Sequence, residues 1–187
     1  MNTRIASFAA FVGLSVSAAA FAPAAQYKVD PVHSFVNFKV NHLGVSYVWG
    51  RFDGPEGTFN TDEGKESFEA TVHTDKIDTG VAKRDQHLKS PDFFNAKQFP
   101  ELTFKSTGVK KSGENQYEVT GDMTVHGVTK SITVTLTKVG EAKTQMGERA
   151  GFDGTFTIKR SDFGMAFMPG AVGDEITVYV GMEGTKE

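Results

Sequence analysis

The sequence predicts an all-β protein, an antiparallel barrel of about eight strands. Three features point to it. Apolar and polar residues alternate with period two in run after run, the mark of half-buried strands. Glycine-containing turn signals such as Glu63-Gly64, Ser112-Gly113 and His126-Gly127 separate the runs. Strands on short connections also leave edges that must be hidden, and closure into a barrel hides them. A sandwich of two sheets fits the same periodicity and stays open as the alternative.

The elements follow in order. Arg4 precedes an apolar, alanine-rich run over residues 5–21, and the small-x-small triplet Ala22-Pro23-Ala24 comes next. This is the anatomy of a secretory signal peptide, residues 1–24, cleaved after Ala24. The run is broken by Ser7, Ser15 and Ser17 and is marginal for a membrane span. One exported, periplasmic domain is therefore expected over residues 25–187. In residues 34–42, Val36, Phe38 and Val40 face one way and Asn37, Lys39 and Asn41 the other, with Phe35 as the exception. Shorter strands are expected at 45–53 and 57–61. In 67–77 the inner set is Phe68, Ala70, Val72 and Thr74. Residues 79–95 break the alternation, and their composition suits one or two short helices that end near Ser90, because Pro91 disfavours helix before it. A strand at 101–107 follows. Tyr117, Val119, Gly121, Met123 and Val125 then share a face, as do Ile132, Val134 and Leu136. The last two strands place Ala150, Phe152, Phe156 and Ile158, then Ile176, Val178, Val180 and Met182, on their apolar sides.

Composition narrows the function. The 187 residues include no cysteine, which removes disulfide frameworks, thiol nucleophiles and iron–sulfur clusters. The net charge of −3 lacks the basic footprint of a nucleic-acid binder. A membrane-spanning barrel needs two aromatic girdles, which one Trp and four Tyr do not supply. His33, His42, His73, His87 and His126 show no metal-ligand spacing. No GxSxG elbow and no GK[ST] phosphate loop is present. No catalytic residue and no metal ligand is nominated, and the chain is not expected to be an enzyme.

Phenylalanine is unusually common, at 16. Phe38, Phe52, Phe68, Phe104, Phe152 and Phe156 fall on apolar strand faces, and Gly50, Gly121 and Gly154 share those faces. An inward glycine removes volume and bends a strand. The pattern fits either a solid aromatic core or a barrel with an apolar cavity.

An ordered series of short motifs runs through residues 27–183. It begins with Asp30-Pro31-Val32-His33-Ser34, His42-Leu43-Gly44 and Gly50-Arg51-Phe52. Its strongest block is Ile77-Asp78-Thr79-Gly80, Arg84-Asp85-Gln86-His87-Leu88 and Ser90-Pro91-Asp92-Phe93-Phe94. Gly121-Asp122-Met123-Thr124-Val125-His126-Gly127 and Arg160-Ser161-Asp162-Phe163-Gly164 close it. The series resembles the YceI-like family of exported polyisoprenoid-binding proteins. The resemblance implies an extended, lipocalin-like barrel with a long apolar lumen, without established catalytic residues. It implies a polyisoprenoid, isoprenoid quinone or similar amphiphile as ligand rather than a resident cofactor. Some members are linked to stress responses or to membrane quinone partners. Pro91 stands where Ala is more usual in the family, and residues 165–172 are this chain's own variant, placed to alter the lumen mouth.

With an open lumen implied, strand parity nominates its wall: Val36, Phe38, Val40, Phe52, Phe68, Val72, Phe104, Val119, Met123, Val134, Phe152, Phe156 and Val178. Arg84 and His87 are candidates to donate to a head-group oxygen. The favoured reading is structural, with Arg84 and Asp85 tying the helix to the barrel rim, and His42 and Arg160 carry the same two readings. The function expected is a carrier of isoprenoid-tailed lipids, monomeric or homodimeric. A small barrel enzyme acting on such lipids, or a stress-related interaction protein with a filled core, is the alternative.

Overall fold

The computed structural model describes residues 25–187, so the expected signal peptide at residues 1–24 lies outside the described residues. Within them the chain forms β1 (Gln26–Val29), β2 (Phe35–His42), β3 (Ser46–Phe52), β4 (Glu56–Asn60), β5 (Ser67–His73) and β6 (Ile77–Asp78). The helix α1 (Ala82–Leu88) follows, then β7 (Glu101–Lys111), β8 (Gln116–Val125), β9 (Val128–Thr144), β10 (Gly147–Lys159) and β11 (Val172–Lys186). All pairings are antiparallel. They run β1–β4–β5–β7–β8–β9–β10–β11 and return to β1, an eight-stranded closed barrel. The remaining strands β2, β3 and β6 form a flap hinged on β11.

β11 makes both arrangements fit. Its Ile176–Gly181 stretch pairs with β2, and Gly184 to Lys186 pair with β1. The wall forks between those stretches, and polar groups fill the fork. Ser34 Oγ donates to the Glu183 carbonyl at 3.2 Å and accepts from its N–H at 3.0 Å. Asp30 N–H also donates to that carbonyl. Arg149 Nη1 donates to Asp30 at 3.0 Å and to Glu183, both oxygens lying beside the split.

Most strands match the alternation in the sequence. The run at 67–77 is a correction: strand geometry stops at His73, and Thr74–Lys76 turn as a 3₁₀ segment. Thr74 is fully buried there because its hydroxyl and N–H bond the carbonyls of Phe99 and Pro100. One helix forms in 79–95, ending at Leu88 with Lys89 as its cap.

The core has two parts. At the end where β1 begins and β11 finishes, Tyr27, Phe59, Phe68, Val119, Val134, Leu136, Ala150 and Phe152 pack into a floor. Tyr27 stacks on Phe59 at 5.1 Å, and Phe152 meets Phe59 and Phe68 edge-on at 5.3 and 5.0 Å. At the other end Phe38, Phe52, Val72, Ile77, Leu102, Val125, Phe163 and Met165 pack under α1 and the segment after it.

Glycines make room for rings. A Cβ on Gly50, Gly121, Gly181 or Gly184 would lie 2.3–2.6 Å from the ring of Phe38, Phe104, Phe35 or Phe59 respectively. In each case the ring lies over a point of another strand where no side chain stands, the neighbouring strand for Phe38, Phe104 and Phe35 and the next but one for Phe59. Glycine thus lets an aromatic side chain flatten against the wall and take up less of the lumen.

Gly121→Ala should therefore destabilise the fold by about 1–3 kcal/mol in urea denaturation, because its Cβ meets the Lys105 carbonyl oxygen at 2.6 Å as well as the Phe104 ring. An unchanged midpoint would show that the ring and strand give way freely. Two polar anchors, one half-buried and one buried, set pH limits. Hydrogen bonds from His33, Arg149 and the Val32 N–H hold the Asp30 carboxyl well below the usual carboxylate range. Burial and the hydrogen bond to Glu141 push the Tyr27 phenol up to about 12. The stabilisation from Asp30 is present above its unfolded value of about 4 and is lost as pH falls further. That from Tyr27 is present below about 10 and is lost as pH rises toward 12. Asp30→Asn should flatten the acid limb of a plot of denaturation midpoint against pH, and Tyr27→Phe the alkaline limb.

Candidate functional site

Above the aromatic floor the barrel encloses an apolar cavity of about 170 Å³. A deeper compartment of about 80 Å³ lies toward the floor, and both share walls at Val36, Ala70, Phe104, Met123, Phe156 and Val180. The period-two geometry of the strands explains the lining, since every second side chain points inward. β2 contributes Val36, Phe38 and Val40, β8 contributes Met123, and β11 contributes Ile176, Val178 and Val180.

Of the residues nominated from parity, Val36, Phe38, Val40, Phe52, Val72, Phe104, Met123, Phe156 and Val178 line the larger compartment, and Phe68 and Val134 line the deeper one. Val119 and Phe152 also point inward, but they are packed into the floor and line neither compartment. Among the wall residues that were not nominated, four lie outside the strands: Leu88 at the end of α1, and Phe93, Phe94 and Met165 in irregular backbone. They cover the cavity at the end opposite the floor. Phe94 meets Phe52 edge-on at 5.5 Å. No periodicity marks such residues; the break in alternation at 79–95 pointed to the first three, and the variant loop at 165–172 to Met165.

The polar candidates are dispersed around that covered end. Arg160 is the most buried, at 5% exposure, and it lines the cavity. Its Nε, Nη1 and Nη2 donate to the carbonyls of Gly173, Met165 and Val172 at 2.9, 2.6 and 2.9 Å. Burial pulls its pKa down, against the weaker opposing field of Asp174. The guanidinium clamps residues 165–173 over the cavity. Arg84 and Asp85 both bond Thr79: Arg84 donates to the Thr79 hydroxyl and carbonyl, and Asp85 accepts from the Thr79 N–H and hydroxyl. They tie α1 to the segment that leaves β6. His87 pairs with Asp92 at 2.9 Å and packs edge-on against Phe93 and Phe167. His42 is exposed at the end of β2.

A different cluster brings Asp30, His33 and Glu183 within ligand distance of one another. The Arg149 guanidinium bridges two of the three carboxylate and imidazole groups, and a cation there would face that positive charge. Among the described residues no helix is long and apolar enough to cross a membrane.

The arrangement is that of a tube floored by aromatic rings, lined with aliphatic and aromatic side chains and covered by a clamped loop and a helix. It can shield an apolar chain from water. Comparisons with known proteins agree with this architecture. Protein YceI of Escherichia coli O157:H7 is 39% identical over 183 residues, covering 95% of this chain and 95% of that protein. The crystal structure of Burkholderia cenocepacia BcnA superposes with a TM-score of 0.77 at 26% identity, covering 84% of this chain and 99% of that one. A polyisoprenoid binding domain from Saccharophagus degradans shares the fold, with a TM-score of 0.69 at 16% identity over 88% of this chain and 99% of that one. The model of the YceI-like domain matches residues 27–183, from the first barrel strand to the fork in the last, and the chain belongs to that family.

Proposed function

We propose that this protein is a periplasmic carrier for a lipid with an isoprenoid tail, such as a polyisoprenoid or an isoprenoid quinone. The observation that carries the reading is the two-compartment apolar cavity, in which strands from all round the barrel present side chains with almost no polar group. The fold shared with a polyisoprenoid binding domain supports it. Tail burial drives binding at about 0.8 kcal/mol per CH₂, less the cost of ordering the chain. No bond is made or broken.

The head group stays at the covered end. Arg160 is the polar group in the cavity wall there. Its three carbonyl partners leave one N–H on each terminal nitrogen, and these suit a quinone or phosphate oxygen. Arg84 and Asp85 hold the rim in shape, and His42 and His87 stand at its outer side. A membrane protein that exchanges quinone with the carrier is the natural partner.

The first test is native mass spectrometry of protein purified from its own periplasm, followed by organic extraction. A stoichiometric isoprenoid lipid is expected. A lipid-free protein that also refuses added prenyl chains would sink the carrier reading in favour of a filled-core interaction protein. Met123 lines both compartments, so Met123→Trp should lower prenyl-lipid affinity at least tenfold with little change in thermal midpoint. Unchanged affinity would remove Met123 from the binding wall.

A further inference from the structure

The exposed large apolar side chains are not scattered evenly. Leu43 and Val45 stand at the tip of the β2–β3 hairpin, and Phe167 and Met168 stand on the loop before β11. Their exposures run from 40% to 81%. The two tips are joined, since Leu43 N–H donates to the Ala171 carbonyl at 2.9 Å and His42 pairs with Val172. Met165 and Val172, which flank this loop segment, line the cavity, so the apolar rim is continuous with its covered end.

Backbone conformation makes these residues harder to explain as accidents. Leu43 and Met168 both adopt left-handed conformations, with φ of 55° and 52°. Long apolar side chains are poor choices there. Asn, Asp or Gly would be less strained in a tight turn and better hydrated at an exposed tip. Two turns beside one opening thus keep an apolar side chain against both local preferences.

Below the tip, the outer face of the flap is graded. Along β3 the outward residues are Tyr47, Trp49 and Arg51, opposite Asn41, Lys39 and Asn37 of β2. Trp49 stacks on Tyr179 of β11 at 5.4 Å. The Lys39 ammonium lies 5.0, 5.8 and 5.9 Å from the ring centres of Tyr47, Trp49 and Tyr179. Arg51 is committed to Asp53 and Asp78 at 2.8 and 3.0 Å. At the usual rise per residue Tyr47 lies roughly 7 Å, and Trp49 roughly 13 Å, from the Val45 tip. Aliphatic tip, then amphipathic rings around a cation, then fixed ion pairs is the order in which groups meet the acyl, interfacial and aqueous layers of a bilayer.

The geometry points to this rim as a membrane-docking surface. Leu43, Val45, Phe167 and Met168 enter the acyl boundary of a phospholipid bilayer, and Tyr47, Trp49 and Tyr179 lie at the head groups. Lys39 supplies the charge that complements anionic lipid. Docking of this kind holds with or without a lumen cargo, and it turns the covered end of the cavity toward the membrane.

Trp49 is the chain's single tryptophan, so its emission reports on the surface directly. Protein purified after expression of the full chain is mixed with vesicles of phosphatidylethanolamine and phosphatidylglycerol that contain no isoprenoid lipid. A blue shift of the emission and quenching by brominated phospholipid are expected. Leu43→Asn combined with Met168→Asn should reduce partitioning at least tenfold while the thermal midpoint holds or rises, because Asn suits both turns. Lys39→Gln should weaken binding about fivefold on the anionic vesicles and leave it unchanged on vesicles of phosphatidylcholine. An unshifted, unquenched Trp49 overturns the proposal, as does equal partitioning of the parent and double-Asn proteins. So does loss of self-association in the double variant, by sedimentation, with no vesicle binding by the parent: that result assigns the rim to a second copy of the chain. Since the vesicles carry no prenyl lipid, failure here leaves the carrier reading intact, and failure of prenyl binding leaves the docking result intact.

Discussion

The fork in β11 is the constraint on which the rest of the molecule depends. One strand must serve two neighbours, β2 along most of its length and β1 at its end. Backbone groups at the division would otherwise face the interior unpaired, at considerable cost. Ser34 Oγ and the Asp30 N–H supply the missing partners of the Glu183 backbone, and Arg149 ties the Asp30 and Glu183 carboxylates together beside them. With the fork secured, β1 closes the floor end while β2 and β3 extend the wall beyond it. The barrel is therefore wide and coverable at one end and narrow and filled at the other.

The filled half and the open half use the same residue type in opposite ways. In the floor, Tyr27, Phe59, Phe68 and Phe152 interlock by stacking and edge contacts, and nothing is left between them. In the cavity, Phe38 and Phe104 lie flat over Gly50 and Gly121 and surrender volume to the lumen. Glycine makes room for rings in both halves, since Phe59 of the floor also lies over a glycine, Gly184. What separates core from cavity is whether rings meet one another, as in the floor, or stand along the wall, as Phe38 and Phe104 do.

Periodicity explains what could and could not be read from the chain alone. Strands with one wet and one dry face were legible because alternation reports burial, and β2, β8 and β11 fell where the alternation put them. The far half of β9 was not legible. From Lys138 onward its side chains are largely exposed on both faces, and Lys143 and Lys186 meet Glu148 across the overhang, so no apolar period exists to be seen. β1 and β6 are too short to carry a period. Parity nominated inward residues correctly, yet it could not say that Val119 and Phe152 belong to the floor, because depth along a barrel is set by register between strands. The cover residues Leu88, Phe93, Phe94 and Met165 follow no period, and only the tertiary structure brings them over the lumen.

The aromatic floor has a consequence for length. From Val172, at the covered end, to Met182, beside the floor, β11 advances roughly 30 Å along its own axis. Whatever lies in the tube is stopped by Phe68 and Phe152 and can go no deeper. Strands of a closed barrel tilt by roughly 35–45° to its axis, so the lumen is shorter than that span, and a chain longer than the lumen has to fold or protrude. In the proposed carrier the floor would thus set an upper limit on how much of a chain the barrel can hide.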